Sequence, residues 1–229
     1  MSLSSIKNAI RSNHFLSSTA SYIYRLFGFN TIRSRGDNNV IDLKVSGLFL
    51  SQSKIKIRGN NNTIRLGSGI SYIKRLSIIV YGDNNLVEIG TDASCDGLTI
   101  CIENNNNEVL LGERFRCGIN TELAAIEGTS IVFGKDCMLS ANISIRTGDS
   151  HSIVDFEGNR INQSRSVIIG EHTWIGNTVH IFKGTEIGHN SIVAGGAIVT
   201  GKQFPPFCII GGNPAKVIKE NIDWLEERI

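Results

Sequence analysis

The stretch Ile169-Gly-Glu-His-Thr-Trp-Ile175-Gly-Asn-Thr-Val-His-Ile181-Phe-Lys-Gly-Thr-Glu-Ile187-Gly-His-Asn-Ser-Ile-Val193-Ala-Gly-Gly-Ala-Ile-Val199 carries an aliphatic residue at every sixth position. Ile169, Ile175 and Ile187 are each followed by glycine. A strict period of six cannot stay on one side of an α-helix, because each step drifts about 120° around the axis. A flat strand alternates every two residues instead. The period fits a chain that makes a short strand, turns a corner and repeats. Three such steps, about 18 residues, close a triangular coil of stacked parallel strands. The register follows: Ile169 under Ile187, Ile175 under Val193, Ile181 under Val199. The fold class is an all-β solenoid, a parallel β-helix.

Upstream, a longer repeat carries the same architecture. Gly36-Asp37-Asn38-Asn39, Gly59-Asn60-Asn61-Asn62 and Gly82-Asp83-Asn84-Asn85 recur with constant spacing, and Asn104-Asn105-Asn106-Asn107 follows. Each leads into an alternating strand such as Thr63-Ile64-Arg65-Leu66. Asparagine tolerates the left-handed backbone of a corner, and its amide can bond to the copies above and below. The organisation read from these patterns is an N-terminal helical cap (1–30), Asn-rich wide coils (31–118), six-residue-repeat coils (119–205) and a C-terminal segment (206–229). Within the cap, Ser5–Ile10 and Tyr22–Phe27 have helical spacing, interrupted at Ser17-Ser18-Thr19 and ended by Gly28. Such a segment covers the open end of a solenoid or, with its basic and aromatic residues, touches a membrane surface. Pro214, opening Ala215-Lys216-Val217-Ile218, predicts a C-terminal helix.

Composition sets bounds. The chain has 229 residues, 41% of them apolar, enough for a sizeable core, and a formal charge of +2, too small to point to nucleic acid. Without a long apolar run or a secretory leader, the expectation is a cytoplasmic protein, in reach of the inner face of the membrane. The five scattered cysteines read as small apolar fillers rather than disulfides or metal ligands, so no metal is expected.

The six-residue phase fails once. Between Ile145 and Ile169 the phase positions are His151, Glu157 and Gln163, none suited to a dry prism. A polar insertion at 146–165 is therefore a loop displaced from the wall, where function concentrates. His151 is the candidate catalytic residue there. An imidazole can take a proton from an attacking hydroxyl and return it to a leaving group near neutral pH. Asp149 or Asp155 could orient it, with Asp149 the first choice. Arg146, Arg160 and Arg165 would suit an acidic polymer.

Trp174-Ile175-Gly176, Ala194-Gly195-Gly196 and Gly212-Asn213-Pro214-Ala215-Lys216 resemble the hexapeptide-repeat acyltransferase family, over about Phe133 to Glu220. The resemblance is nearest to bacterial enzymes that O-acetylate capsule and sialic acid polysaccharides. It implies a left-handed β-helix, a homotrimer with sites between subunits, acetyl-CoA as co-substrate and a carbohydrate acceptor. Thr147-Gly148-Asp149-Ser150-His151 falls where the family keeps its catalytic histidine. Trp174 would shape the thioester end or the sugar site, or simply pack on the wall. Gly176, Ala194 and Gly195 would let coenzyme A approach the backbone. Lys202, Lys216 and Lys219 would meet its phosphates, and Asn213-Pro214 its adenine end. Asn120, or the similarly placed Glu122, is a candidate oxyanion donor. Three other readings stay open: acetylation of a small sugar, nucleotide sugar or antibiotic; a zinc carbonic anhydrase using His151, His172, His180 and His189; and a non-catalytic scaffold.

Overall fold

The computed structural model describes residues 14–43, 47–67, 69 and 71–229. It is a left-handed parallel β-helix with three sheets. Two faces have eight strands each; the third has nine, the last of which is antiparallel. The first face runs from Thr31–Arg35 to Ile198–Val199, the second from Val40–Leu43 to Gln203–Phe204, and the third from Leu48–Ser51 to Ala215–Glu220.

The six-residue reading fixes the register. Ile169 pairs with Ile187, Ile175 with Val193 and Ile181 with Val199. All six are buried inside one continuous core. The 22–23-residue step persists through the pairing of Leu123 with Ile145, and strands here are longer: Leu98–Glu103 against His180–Ile181 on the same face. Wide coils need larger fillers, and Phe115 and Phe133 meet edge to face inside, with ring centroids 5.1 Å apart. Cys95, Cys117, Cys137 and Cys208 are buried free thiols. Burial pushes Cys137 up to about 12, so it stays a neutral filler.

The asparagines form a buried polar seam along the edge between the first and second faces. Asn62, Asn85 and Asn107 each donate through Nδ2 to the Oδ1 one coil below, on Asn39, Asn62 and Asn85, at 3.0 Å. The backbone N–H groups of Asn62, Asn85 and Asn107 donate to the same oxygens at 2.9–3.0 Å. Asn38, Asn61 and Asn84 take the left-handed corner beside it, with φ of 56°, 55° and 58°. The seam ends in backbone N–H groups of Gly128 and Thr129 donating to Asn107 Oδ1, and the Thr129 and Thr147 hydroxyls lie 2.6 Å apart. Thr147 is the residue from which the polar loop departs.

Two terminal expectations are corrected. The helix α1 (His14–Leu26) runs straight through Ser17-Ser18-Thr19. Ser21 Oγ bonds back to the Ser18 carbonyl at 2.9 Å, which lets a serine sit inside a helix. Packing of Tyr24 on Phe49, centroids 5.7 Å apart, holds α1 to the third face. The expected helical stretch Ser5–Ile10 lies outside the described residues. At the other end there is no helix: Ala215–Glu220 is a strand, antiparallel to Cys208–Gly212. Its run of apolar residues fits either structure in isolation, and the open edge of the last parallel strand decides by offering unpaired backbone groups. The tail beyond folds onto the same face, where Trp224 stacks on His172 at 4.3 Å.

Candidate active site

The loop leaves the prism at Gly148 and returns by Arg165. An added Cβ at Gly148 would meet Ile126 Cδ1 at 2.5 Å and Ser164 Oγ as well, so the chain passes closely over both side chains where it has none of its own. Ser150, at φ 63°, then turns the chain outward.

The neck is clasped by a residue that the sequence did not single out. Asn162, almost fully buried, donates through Nδ2 to Asp149 Oδ2 and to the His151 carbonyl, both at 2.8 Å. Its Oδ1 accepts from the Ile153 N–H at 2.8 Å and from Arg160 Nε at 3.2 Å. Lys183, from the next coil, donates to Asp149 Oδ2 and, at 2.9 Å, to the Asn162 carbonyl. The Lys183 ammonium first, with help from Asn162, holds the Asp149 carboxyl below its ordinary range. Asp149, expected to orient the His151 ring, therefore acts on the neck: its hydrogen bonds go to Lys183 and Asn162, and the latter carries the His151 backbone. The ring of His151 is exposed and makes no hydrogen bond to the described residues.

Beyond the neck the chain forms a small hairpin closed by the bridge of Val154 with Arg160. Asp155, the other candidate orienter, caps the tip instead, accepting from the Glu157 and Asn159 N–H groups at 2.9 Å each. Arg160 lies against Glu127 in a two-pronged pair at 2.8 and 2.9 Å, and Ser164 Oγ donates to the same carboxylate. Arg160 and then Ser164 hold Glu127 below the usual carboxylate range. Arg146 is likewise paired, with Glu122 at 2.8 Å. Of the three loop arginines only Arg165 lacks a carboxylate partner among the described residues. With Lys183 and Lys202 it lines an open groove of about 450 Å³ beneath the neck, which Asp149, Phe182 and Gly201 also border.

The other expected site residues fall into separate groups. Trp174 lies on the third face, with Nε1 3.5 Å from Ser140 Oγ and its ring tilted 6.0 Å from Trp224. Gly176 packs against the coil above, where an added Cβ would stand 2.6 Å from Gly195 N. Ala194 and Gly195 form the corner from the third face to the first. An added Cβ at Gly195 would crowd the Asn177 carbonyl at 3.2 Å, whereas over Gly196 the space is open. Asn213-Pro214, a cis bond, makes the turn before Lys216, which is exposed. Asn120, at a positive φ of 57°, donates to Asn142 Oδ1 at 3.0 Å in a corner ladder of its own, away from the loop edge. Among the histidines, His172 packs on Trp224, His180 on Phe182 and His189 on Phe207, each on its own part of the surface.

The same coil exists in proteins of known structure. The polySia-specific acetyltransferase NeuO superposes with a TM-score of 0.76 at 31% identity, over 86% of this chain and 89% of its own. The polysialic acid O-acetyltransferase OatWY gives 0.77 at 30%, over 88% and 93%. The chain belongs to the hexapeptide-repeat acetyltransferase family. No family model matches it. Among curated sequences it is 33% identical to the polysialic acid O-acetyltransferase of Escherichia coli O1:K1 over 124 residues. That alignment covers 54% of this chain and 40% of the relative, so the match spans less than half the relative's length.

Proposed function

We propose that the chain is an acetyl-CoA-dependent O-acetyltransferase acting on a bacterial surface polysaccharide, with His151 as general base. The observation that carries the proposal is the single interruption of a regular coil, with His151 at its neck, in a chain 30–31% identical to two acetyltransferases of polysialic acid across their fold. The His151 imidazole accepts the acceptor hydroxyl's proton as that oxygen attacks the thioester carbonyl carbon. It then returns the proton to the departing thiolate sulfur, so no acyl-enzyme is needed. Cys95, Cys117, Cys137 and Cys208 are buried in the wall, where a substrate does not reach them as nucleophiles. Acetyl-CoA, as co-substrate, supplies the activated acetyl group.

Residues on this chain divide the work. Asn162, Asp149 and Lys183 fix the backbone that carries His151. Arg165 and Lys202 offer cations to an acidic acceptor or to a phosphate. The corner at Ala194 and Gly195, whose glycines are exposed, can receive the pantetheine arm, with Lys216 and Asn213-Pro214 toward its far end. His151 leaves one edge of the prism, whereas Trp174 and Ala194-Gly195 belong to the third face and the next edge. A site using both sets takes them from two copies, which supports a homotrimer with sites between subunits. Reaction with intracellular acetyl-CoA would place the protein in the cytoplasm.

The test is acetyl-CoA consumption against acidic and neutral bacterial polysaccharides, free sugars, nucleotide sugars and chloramphenicol. Expected is turnover on an acidic polymer and a loss of at least about 100-fold in His151→Ala. Undiminished turnover in that variant removes His151 as the base. Turnover on monomers alone removes the polymer, and failure to bind acetyl-CoA leaves a scaffold.

A further inference from the structure

The N-terminal end of the solenoid displays two adjoining features that lie outside the loop and corner of the proposed acyl-transfer site. The first is apolar. Leu26, Phe27 and Phe29 are 61%, 76% and 88% exposed, far more than a core-forming helix end requires. They are held in place: Asn30 Nδ2 donates to the Arg25 and Leu50 carbonyls at 3.0 and 2.9 Å, and its Oδ1 accepts from the Ser53 N–H at 3.1 Å. The Gln52 N–H donates to the Gly28 carbonyl between the two phenylalanines. Phe29 itself stands at a φ of 56°, a backbone conformation a bulky residue seldom adopts.

The second feature is charge. Arg33, Arg35, Lys54, Lys56 and Arg58 project from two neighbouring strands of the first face around a shallow depression. No carboxylate among the described residues pairs with any of them. Their near contact is Tyr81, whose hydroxyl lies 2.8 Å from Lys56 Nζ and whose ring sits 5.6 Å from the Arg58 guanidinium. Thr31, two residues after Phe29, pairs directly with Lys54, so the apolar corner runs straight into the cationic face.

We propose that this end of the solenoid docks on an anionic lipid bilayer, with Phe27 and Phe29 entering the headgroup boundary and the five cations facing lipid phosphates. An acidic polymer would use the cations and leave the phenylalanines in water. A second copy of this chain would cover the phenylalanines and bring like charges together. A negatively charged bilayer satisfies both features at once. The attachment is peripheral and reversible; no helix among the described residues is long and apolar enough to cross a membrane.

Flotation of the full chain with vesicles of phosphatidylcholine alone, or mixed with phosphatidylglycerol, tests this without any turnover. Its failure therefore leaves the proposed reaction untouched. Expected is binding to the mixed vesicles only, weakened by salt. Arg33→Ser/Arg35→Ser and Phe27→Ser/Phe29→Ser should each reduce it, the former by roughly fivefold per cation removed. Both variants should keep the far-UV circular dichroism and oligomeric mass of the parent. Three results overturn the proposal: no binding to anionic vesicles; a changed oligomeric mass in the phenylalanine variant, which makes that corner a subunit contact; or unchanged vesicle binding in the arginine variant with loss of acidic polysaccharide binding.

Discussion

Replacing Asn162 by alanine should separate the order of the loop from the stability of the coil. The side chain makes three hydrogen bonds at 2.8 Å, to Asp149, to the His151 carbonyl and from the Ile153 N–H. Each contributes about 1 kcal/mol net, so the clasp as a whole contributes about 2–4 kcal/mol. The neck borders an open groove, and water can reach the released groups, which favours the lower end of that range. About 2 kcal/mol shifts the closed-to-open equilibrium of the loop by roughly 30-fold. Because the loop can open without unfolding the prism, that change falls on local rather than global stability. The expected outcome is a fall in kcat of up to about 30-fold, faster hydrogen exchange across 148–165 and a nearly unchanged melting temperature. Exchange protection that survives in Asn162→Ala would refute the clasp. Lost protection with an unchanged kcat would refute the link between a fixed His151 backbone and turnover.

Three further outcomes follow from the same geometry. Asn85→Ala removes a buried side chain that accepts from Asn107 N and Nδ2 and donates to Asn62 and to the Asn104 carbonyl. It should cost about 2–4 kcal/mol in denaturant unfolding, since donors are stranded in a dry seam. Gly148→Ala should cost about 1–3 kcal/mol in a thermal melt, because the new methyl group collides with Ser164 Oγ and Ile126 Cδ1. Asp149 and Glu127 both have folded pKa values depressed, first by Lys183 and by Arg160 respectively. Their contribution is therefore complete above the ordinary carboxylate value near 4 and is lost as pH falls through the lower folded values. Proteolysis within 148–165 should accelerate at that acidic end, and Asp149→Asn should flatten part of the dependence.

What the sequence made legible was whatever repeats. Ile169, Ile175 and Ile181 could be stacked in advance because each coil presents the same aliphatic position, and the same regularity exposed the loop at His151 by its absence. Asn162 carried no such mark. It is one polar residue in a polar insertion, and its importance arises from groups 11, 13 and 21 positions away that meet only when the loop closes. The loop arginines were misleading for a related reason: Arg146 and Arg160 are cationic in composition, but Glu122 and Glu127 neutralise them from the preceding coil. At the C-terminus, Ala215–Glu220 was decided by a free sheet edge, a property of the neighbouring strand and not of the segment. The Asn-rich corners could be read as structural, but that their seam ends under Thr147, at the root of the loop, depends on which edge of the prism each corner occupies.

That seam also makes the solenoid adjustable in length. Asn62 and Asn85 hold equivalent places in their coils, 23 residues apart, each donating downward and accepting from above. Excising residues 63–85 would bring Asn62 beneath Asn107 with the same partners on offer, and Leu86 into the place of Thr63, its partner across the ladder. One coil is worth about 4.8 Å along the axis. The first-face strand Ile143–Arg146 stands five strands above Thr31–Arg35, so it lies roughly 24 Å from the terminal coil. The wide coils thus behave as a ruler with a fixed graduation. Adding or removing a unit would raise or lower His151 relative to the N-terminal end while leaving the neck of its loop as it is.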